Sequence, residues 1–254
     1  MLREVEFIGV GEACDPDYPN ASLLLKDQAG QGRILLDCGF TTPHRYFRKY
    51  SDPEELQALW ISHFHGDHFF GVPLLLLRFW EMGRRKPLHI LGPQGVEEKI
   101  CQAMDLAYPN FLNKIQFPLH FQAVEPGCSR SVAGLTWNTA ENEHSERALA
   151  VRIEDKEKAL FYSGDGRPTP ETLGLAAGCD LVVHEAFRLS GATPGHGNVP
   201  ACIDFAQKSG AKKLALLHIN RDERATRLEK IQEVIRKTVD LHIFLPEPGD
   251  CFVL

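Results

Sequence analysis

The sequence predicts an α+β fold in which two mixed sheets face each other and helices cover their outer sides. Strand-like segments fall into two blocks along the chain, and helical segments follow each block. The second half repeats the order of the first half in outline without repeating its sequence. The 254 residues include no linker or low-complexity tract, so we expect a single domain over 1–254.

The first block contains short apolar or alternating segments that are bounded by Gly, Pro, Asn and Asp. They predict strands at 3–10, 21–26, 33–37 and 59–62. Asp52 is followed by proline and two glutamates, which is typical of a helix start, so we expect a short helix before the fourth strand. Helices are then predicted at 68–82 and 94–107.

The second block follows a turn-rich stretch and has the same character. Strands are predicted near 119–124, 131–138, 147–153, 158–163 and 180–184, with a helix near 170–177 before the last of them. The chain continues with a helix near 199–209, a strand at 213–218, an amphipathic helix at 222–238, and strands at 241–245 and 251–254.

The composition is that of an ordinary globular protein, with 43% hydrophobic and 24% charged residues. A net charge of −6 gives no general attraction to nucleic acid, although the basic run 84–86 could form either a local groove or a solvated loop. Seven scattered cysteines without a C-x-x-C pair favour a reduced, cytoplasmic protein. No apolar run is long enough to cross a membrane.

Four potential metal ligands occur within six residues, in a segment that we call the histidine loop: His63, His65, Asp67 and His68. This number exceeds what one tetrahedral ion needs from a single loop, which suggests two metals. His63 and His65 would leave a strand end on the same side, because side chains alternate with period two. The alternative is a polar loop whose histidines cap the next helix.

Three further ligand types each follow a strand-like segment, namely His144, Asp165 and His218. Each one alone could be an ordinary turn or core residue. In this order, however, the residues resemble the pattern of the metallo-β-lactamase superfamily, H-x-H-x-D-H followed by a histidine, an aspartate and a histidine. The resemblance implies an αβ/βα sandwich with the site at one edge.

The resemblance also implies a role for each ligand. The first metal would be held by His63, His65 and His144, the second by Asp67, His68 and His218, and Asp165 would bridge both. Asp37, in a segment similar to the family's early Asp-x-Gly strand end, would support the histidine loop from behind.

The expected chemistry is hydrolysis by a water or hydroxide shared by two divalent ions, since two cations acidify it and stabilise both the attacking and leaving oxygens. Asp67 is predicted to serve in catalysis as well as in metal binding. His65 separates the chain from the diiron, oxygen-reducing branch of the family, where a glutamate is common. Zinc is therefore the expected metal, with Mn²⁺ or Fe²⁺ as alternatives.

A second group of residues is similar to the ribonuclease Z branch: His184-Glu185-Ala186-Phe187, then Gly195-His196-Gly197, then Arg221 after the last ligand. This resemblance implies that His196 is the general acid for the leaving oxygen and that Glu185 orients it. His184 is expected to be structural, and the two glycines would let the loop approach a substrate. Alternatively, Glu185 is a surface charge and His196 lies in a mobile loop.

The chain departs from that branch in having Phe187 where threonine is usual and Gly197 where a larger residue often follows the histidine. Asp165 also follows His144 by only 21 positions. Relatives that process transfer RNA commonly insert a long RNA-gripping arm there, which this spacing cannot hold. Aromatic residues near the histidine loop, Phe69, Phe70, Phe79 and Trp80, are expected to be core.

The sequence therefore predicts a dinuclear phosphodiesterase whose substrate is an RNA end or a small nucleotide-type phosphodiester. Two alternatives stay open. The same metals could hydrolyse carboxylic, thioester, lactone or sulfate esters, or the site could be structural in an interaction or sensor protein. No membrane partner is expected, and a homodimer is possible because ribonuclease Z-like proteins often pair.

Overall fold

Fourteen strands form two sheets of seven in the computed structural model, which describes residues 2–27 and 33–254. Met1, the start of the strand-like N-terminus, lies outside the described residues. The two facing sheets with helices on their outer sides confirm the predicted fold class.

In the first sheet the strands lie in the order β14 (Cys251–Val253), β1 (Leu2–Gly9), β2 (Ser22–Asp27), β3 (Arg33–Leu36), β4 (Leu56–Trp60), β5 (Leu88–Gly92) and β6 (Leu119–Ala123). The pairs from β14 to β3 are antiparallel, and those from β3 to β6 are parallel. The last strand of the chain thus returns to the first sheet and pairs with the first strand.

In the second sheet the order is β13 (His242–Phe244), β12 (Lys213–Leu217), β11 (Leu181–Glu185), β10 (Ala159–Tyr162), β9 (Leu149–Glu154), β8 (Leu135–Glu141) and β7 (Arg130–Val132). Here the pairs from β7 to β10 are antiparallel, and those from β10 to β13 are parallel. Each sheet is therefore parallel in the half whose strands carry most of the predicted site residues at their ends.

A single apolar cluster fills the space between the sheets and contains residues of both. Alternate side chains point into it, such as Val5 and Phe7 on β1, because neighbouring residues of a strand face opposite sides. Across the interface the ring centroids of Trp60 and Trp137 are 6.3 Å apart. Both sheets thus share one core, and the single domain over 1–254 stays a prediction.

Seven α-helices and one 3₁₀ turn occur in the described ranges: α1 (Thr42–Lys49), α2 (Gly66–Phe69), α3 (Val72–Glu81), α4 (Val96–Ala107), the turn Phe111–Lys114, α5 (Pro170–Leu175), α6 (Val199–Ser209) and α7 (Arg221–Lys237). Helices α1, α3 and α4 pack on the outer face of the first sheet, while α6 and α7 pack on that of the second. Within these ranges, no helix has the length and apolarity that crossing a membrane would require.

Two local predictions are wrong. Asp52 does not start a helix: its carboxylate accepts a hydrogen bond from the amide of Glu54 at 2.9 Å in a turn, and β4 begins at Leu56, four residues after Asp52. The helix lies upstream instead, as α1. The single strand predicted at 131–138 is a hairpin, since Ala133 and Gly134 both have positive φ, at 53° and 75°.

The basic run 84–86 is neither a groove nor a purely solvated loop, because Arg84 is only 2% exposed. Its guanidinium donates to the carbonyl oxygens of Leu56 at 2.7 Å, Lys86 at 2.9 Å and Pro87 at 2.6 Å, and also to that of Pro53. Arg84 thus joins the end of α3 to the segment that leads into β4, and its guanidinium binds carbonyl oxygens inside the fold.

We expect Arg84→Met to lower the free energy of unfolding by about 2–4 kcal/mol, because four carbonyl groups lose their donor while most of the side-chain volume is kept. Urea denaturation measures this change. Arg85→Met is the matched control, because Arg85 is exposed and its side chain donates to Gln116 on the surface. Equal and small effects of both substitutions would contradict the structural role of Arg84.

Glu6 is a buried carboxylate near the edge of the first sheet that is balanced by several donors. Lys26 Nζ lies 2.7 Å and Lys49 Nζ 3.0 Å from its oxygens, and the Tyr50 hydroxyl donates to it. Burial raises the pKa of Glu6, but these donors outweigh burial and hold the pKa below its ordinary value of 4.5.

A carboxylate with a lowered pKa contributes stability that is present above the unfolded-state value and is lost as pH falls through the folded-state value. We therefore expect Glu6→Gln to reduce the loss of stability that the protein shows below about pH 4.5. Urea midpoints measured across this range test the effect, with Glu157→Gln at an exposed position as the control. Identical pH profiles for the native protein and Glu6→Gln would refute it.

Candidate metal centre

The seven predicted metal ligands come together at one edge of the sandwich, beyond the ends of strands from both sheets. The histidine loop follows β4 of the first sheet. The other three ligands follow strands of the second sheet, with His144 after β8, Asp165 after β10 and His218 after β12. Residues far apart in the sequence meet here because both sheets end at the same edge.

The ligand atoms form two groups, and within each group all atoms lie within 4.8 Å of one another. The first group consists of His63, His65, His144 and Asp165, and the second of Asp67, His68, Asp165 and His218. Asp165 belongs to both groups. This arrangement is consistent with a dinuclear metal site.

Buried polar atoms without partners test whether a cation fits. Among the described residues, His63 Nε2, His68 Nε2 and Asp165 Oδ1 are buried and have no hydrogen-bond partner. His68 Nε2 and Asp165 Oδ1 approach each other to 3.3 Å without forming a hydrogen bond. Leaving such atoms unsatisfied is costly, and one cation in each ligand group would satisfy them.

The electrostatics of the second ligand group favour positive charge, whereas in the first group burial lowers the pKa of His63. Burial lowers the pKa of His218, but Asp165 and Asp67 outweigh burial and raise this pKa to about 9. Burial likewise opposes the charged form of His68, yet Asp165 and Asp37 raise its pKa well above the ordinary range. The donor set of imidazole nitrogens and carboxylate oxygens suits zinc, manganese or iron.

Asp37 lies under the histidine loop, as the sequence predicts. Its Oδ2 lies 2.7 Å from His68 Nδ1, and it accepts from the hydroxyls of Ser62 at 2.8 Å and Tyr162 at 2.7 Å. Oδ1 accepts from the backbone amide of Ser62 at 2.7 Å. The carboxylate therefore places the proton of His68 on Nδ1 and leaves Nε2 free to face the ligand group.

Two other ligand histidines are oriented in the same way. His63 Nδ1 lies 3.0 Å from the Ser62 hydroxyl oxygen, whose proton is directed to Asp37, and His144 Nδ1 lies 2.6 Å from the carbonyl oxygen of Gly195. Each contact assigns the proton to Nδ1 and leaves Nε2 unprotonated for a metal.

Sequence reasoning missed three supporting residues: Ser62, Tyr162 and Asn142. The Asn142 side-chain amide donates to the carbonyl oxygens of Ser163 at 2.5 Å and Asp165 at 3.2 Å, and so fixes the turn that carries Asp165. All three stand within three positions of a candidate ligand in the sequence. Their closeness to these residues in the sequence could have indicated a supporting role, but the sequence does not show which groups they bind.

Glu185 is fully buried, which excludes its interpretation as a surface charge. Its Oε1 accepts from the amides of Gly197 at 2.8 Å and Gly166 at 3.1 Å, and its Oε2 from the amide of Phe187 at 3.0 Å. The same Oε1 lies 3.3 Å from His196 Nδ1. One carboxylate thus joins the β10–α5 connection to both ends of the β11–α6 connection and faces the imidazole.

His196 lies beside the ligand groups, with its ring centroid 5.0 Å from that of His144 and 5.9 Å from that of His218. Phe187, where the ribonuclease Z pattern has threonine, stacks on the His196 ring with centroids 4.5 Å apart and planes at 23°. The imidazole is held between a carboxylate at Nδ1 and an aromatic ring on its face.

The glycines beside His196 allow a close approach to the protein's own site residues, and the approach to a substrate stays a prediction. Gly195 has φ of 71°, and a Cβ there would lie 3.2 Å from His144 Nδ1. A Cβ at Gly197 would lie 3.2 Å from the Glu185 carbonyl oxygen. Both positions are tight because the loop packs on the protein's own site residues.

The remaining members of that motif group are structural. His184 is buried between the rings of Phe161 and Phe205, as its expected structural role requires. Arg221 pairs with Glu12 at 2.7 Å. Between His144 and Asp165 the chain forms only β9, β10 and short connections, so the RNA-gripping arm is absent from this fully described segment.

Comparison with known proteins agrees with this geometry. The profile of the beta-lactamase superfamily domain matches residues 32–219. Ribonuclease Z of Methanosarcina acetivorans is 25% identical, over 87% of this chain and 88% of the relative. Ribonuclease Z of Methanothermobacter thermautotrophicus is 26% identical, over 93% and 92%.

Solved structures share the fold over nearly the whole chain. The metallo-β-lactamase fold protein YhfI of Bacillus subtilis superimposes with a TM-score of 0.80 at 20% identity, covering 98% of this chain and 99% of that one. The short form of human tRNase Z gives a TM-score of 0.78 at 21% identity, with 98% of each chain covered. A diphosphatase of the PhnP family gives 0.74 at 16% identity, covering 98% and 97%.

The matched profile, the shared fold and the two buried ligand groups lead to one conclusion: the chain belongs to the metallo-β-lactamase superfamily, as a metallohydrolase related to ribonuclease Z.

Proposed function

We propose that the protein is a phosphodiesterase that acts on RNA ends or on small nucleotide-type phosphodiesters with two divalent ions, zinc being the first choice. The observation that carries this proposal is the buried Glu185 carboxylate, 3.3 Å from His196 Nδ1 and beside both ligand groups. The leaving group of a natural phosphodiester is a poorly stabilised alkoxide. Its cleavage therefore benefits more from a positioned acid than the cleavage of an activated ester does.

The two ions would be held by the groups described above, the first by His63, His65 and His144, the second by Asp67, His68 and His218, with Asp165 shared. When bound, they would supply Lewis-acid stabilisation of developing charge and a water of lowered pKa. The buried Asp67 carboxylate, 3.4 Å from His218 Nε2, would accept a proton from the attacking water.

His196 would protonate the leaving oxygen. Because Glu185 faces Nδ1, the opposite nitrogen, Nε2, is left to carry a proton toward the substrate. The bond from phosphorus to the leaving oxygen breaks as that proton is transferred, and the leaving group departs as a neutral alcohol. Glu185 stabilises the charged imidazolium before the transfer and holds its loop through the Gly197 amide.

The substrate class is supported from two directions. The relatives named as ribonuclease Z support an RNA end, while the absence of an arm between His144 and Asp165 supports a smaller or shorter substrate. A double-stranded RNA would need extensive phosphate contacts, which a net charge of −6 disfavours.

We expect His196→Ala to slow cleavage of a dinucleotide by roughly 10²–10³-fold, because the alkoxide loses its proton donor. Hydrolysis of bis(p-nitrophenyl) phosphate should slow much less, since p-nitrophenolate leaves without protonation. Metal analysis should still find two ions per chain. His120→Ala, at an exposed position on β6, is the control.

Equal losses on both substrates would overturn the assignment of His196 as the acid. Hydrolysis of carboxylic, thioester, lactone or sulfate esters without any cleavage of phosphodiesters would replace the proposed function. Full metal loading with no hydrolysis of any of these would instead support a structural or sensor role.

We expect Phe187→Thr to lower kcat on the dinucleotide roughly tenfold with little change in KM, because the stacked ring no longer fixes the plane of His196. Phe187→Tyr keeps the ring and should restore kcat. The kcat and KM of the three proteins, together with their metal content, measure this effect. A change in KM alone, or no rescue by tyrosine, would argue against a positioning role.

A further inference from the structure

Two exposed phenylalanine rings lie against the backbone of the histidine loop. Phe40 is 52% and Phe70 47% exposed, with ring centroids 5.7 Å apart and planes at 67°. A Cβ at Gly66 would lie 2.5 Å from Phe40 Cζ and 2.9 Å from Phe70 Cδ2, so both rings contact the residue between His65 and Asp67. The predicted core position is correct for Phe69 and Phe79 but wrong for Phe70 and for Trp80, which is 39% exposed.

These rings are held by a rigid backbone. The amide of Cys38 donates to the carbonyl oxygen of His68 at 2.7 Å, and the amide of Gly71 donates to that of Cys38 at 2.8 Å. Two hydrogen bonds therefore join the loop that carries Phe40 to the end of the histidine loop and to the residues just after it. Large apolar rings exposed at a fixed place beside a polar site are typical of a binding surface.

Cationic side chains continue the surface beyond Phe40. Arg45 and Arg48 on α1 make no ion pair within the ranges that the structure describes, and with Phe40 they line a cleft of about 510 Å³. Asp15 and Asp17 also line this cleft, and Asp15 Oδ1 already accepts from the amides of Asp17 and Tyr18. A nucleic-acid strand that runs along α1 would meet Arg45 and Arg48.

We propose that an unpaired nucleobase next to the scissile phosphate stacks on one ring of the Phe40–Phe70 pair and packs against the other at an angle, and that Arg45 and Arg48 contact the neighbouring phosphates. Every base has a π-face, so an aromatic pair accepts any base, and cations beside it follow the backbone. The inference rests on the proposed phosphodiesterase function and narrows its substrate to single-stranded nucleotide material.

Two chromogenic substrates with the same leaving group test the stacking: uridine 5′-(p-nitrophenyl phosphate) and its counterpart without the base. The native protein should prefer the first by roughly tenfold in kcat/KM, within the range expected for one stacked base. In the variant Phe40→Ala with Phe70→Ala, the preference should fall to near one. Phe40→Trp should keep it, and so should the control Trp80→Ala, which removes an exposed aromatic outside the pair.

An unchanged preference in the double variant would overturn the stacking site. If the native protein cleaves no phosphodiester, the proposed function fails, and fluorescence anisotropy with a labelled RNA hexanucleotide still decides the inference. Binding that weakens in the double variant supports it, and unchanged binding refutes it. Replacing Arg45 and Arg48 with alanine should also make the slope of log affinity against log salt shallower by roughly 1.4, as two lost phosphate contacts require.

Discussion

The buried carboxylate of Asp37 is the interaction on which the arrangement of the site depends. It receives donors from the histidine loop, through His68 and Ser62, and from the second sheet, through the Tyr162 hydroxyl. Burying this carboxylate without its partners would cost free energy. The contact with Tyr162 therefore favours one relative position of the two sheets at this edge. The residue itself has φ of 58°, a strained conformation of the kind that persists where surrounding contacts fix it.

Glu185 has the equivalent role on the other side of the site. Its oxygens accept from three amides in two loops, one that carries Asp165 and one that carries Phe187 and His196. The first carboxylate fixes residues that would hold metal, and the second fixes the residue that would handle a proton. Both rely on the same principle, that a buried charge surrounded by donors defines the positions of those donors.

The ligand set could be predicted from the sequence because each ligand follows a strand, and strand ends of this fold meet at one edge. Contacts between distant segments could not be predicted in this way. Tyr162 and Asp37 are 125 positions apart, and only the packing of the two sheets brings them together. The helix start expected at Asp52 failed for a similar reason, since Arg84 binds the carbonyls of Pro53 and Leu56 and β4 begins there. Local patterns cannot anticipate such partners.

The shared role of Glu185 limits how this site can diverge. A substitution there would disturb the His196 imidazole and release three backbone amides at once, so it would need compensating changes in both loops. Phe187 is under no such limit, because its ring touches one face of His196 while its amide contact is independent of the side chain. The setting of His196, the proposed acid, can therefore change more easily through residue 187 than through Glu185. Phenylalanine at 187, where the ribonuclease Z pattern has threonine, is a change of this kind.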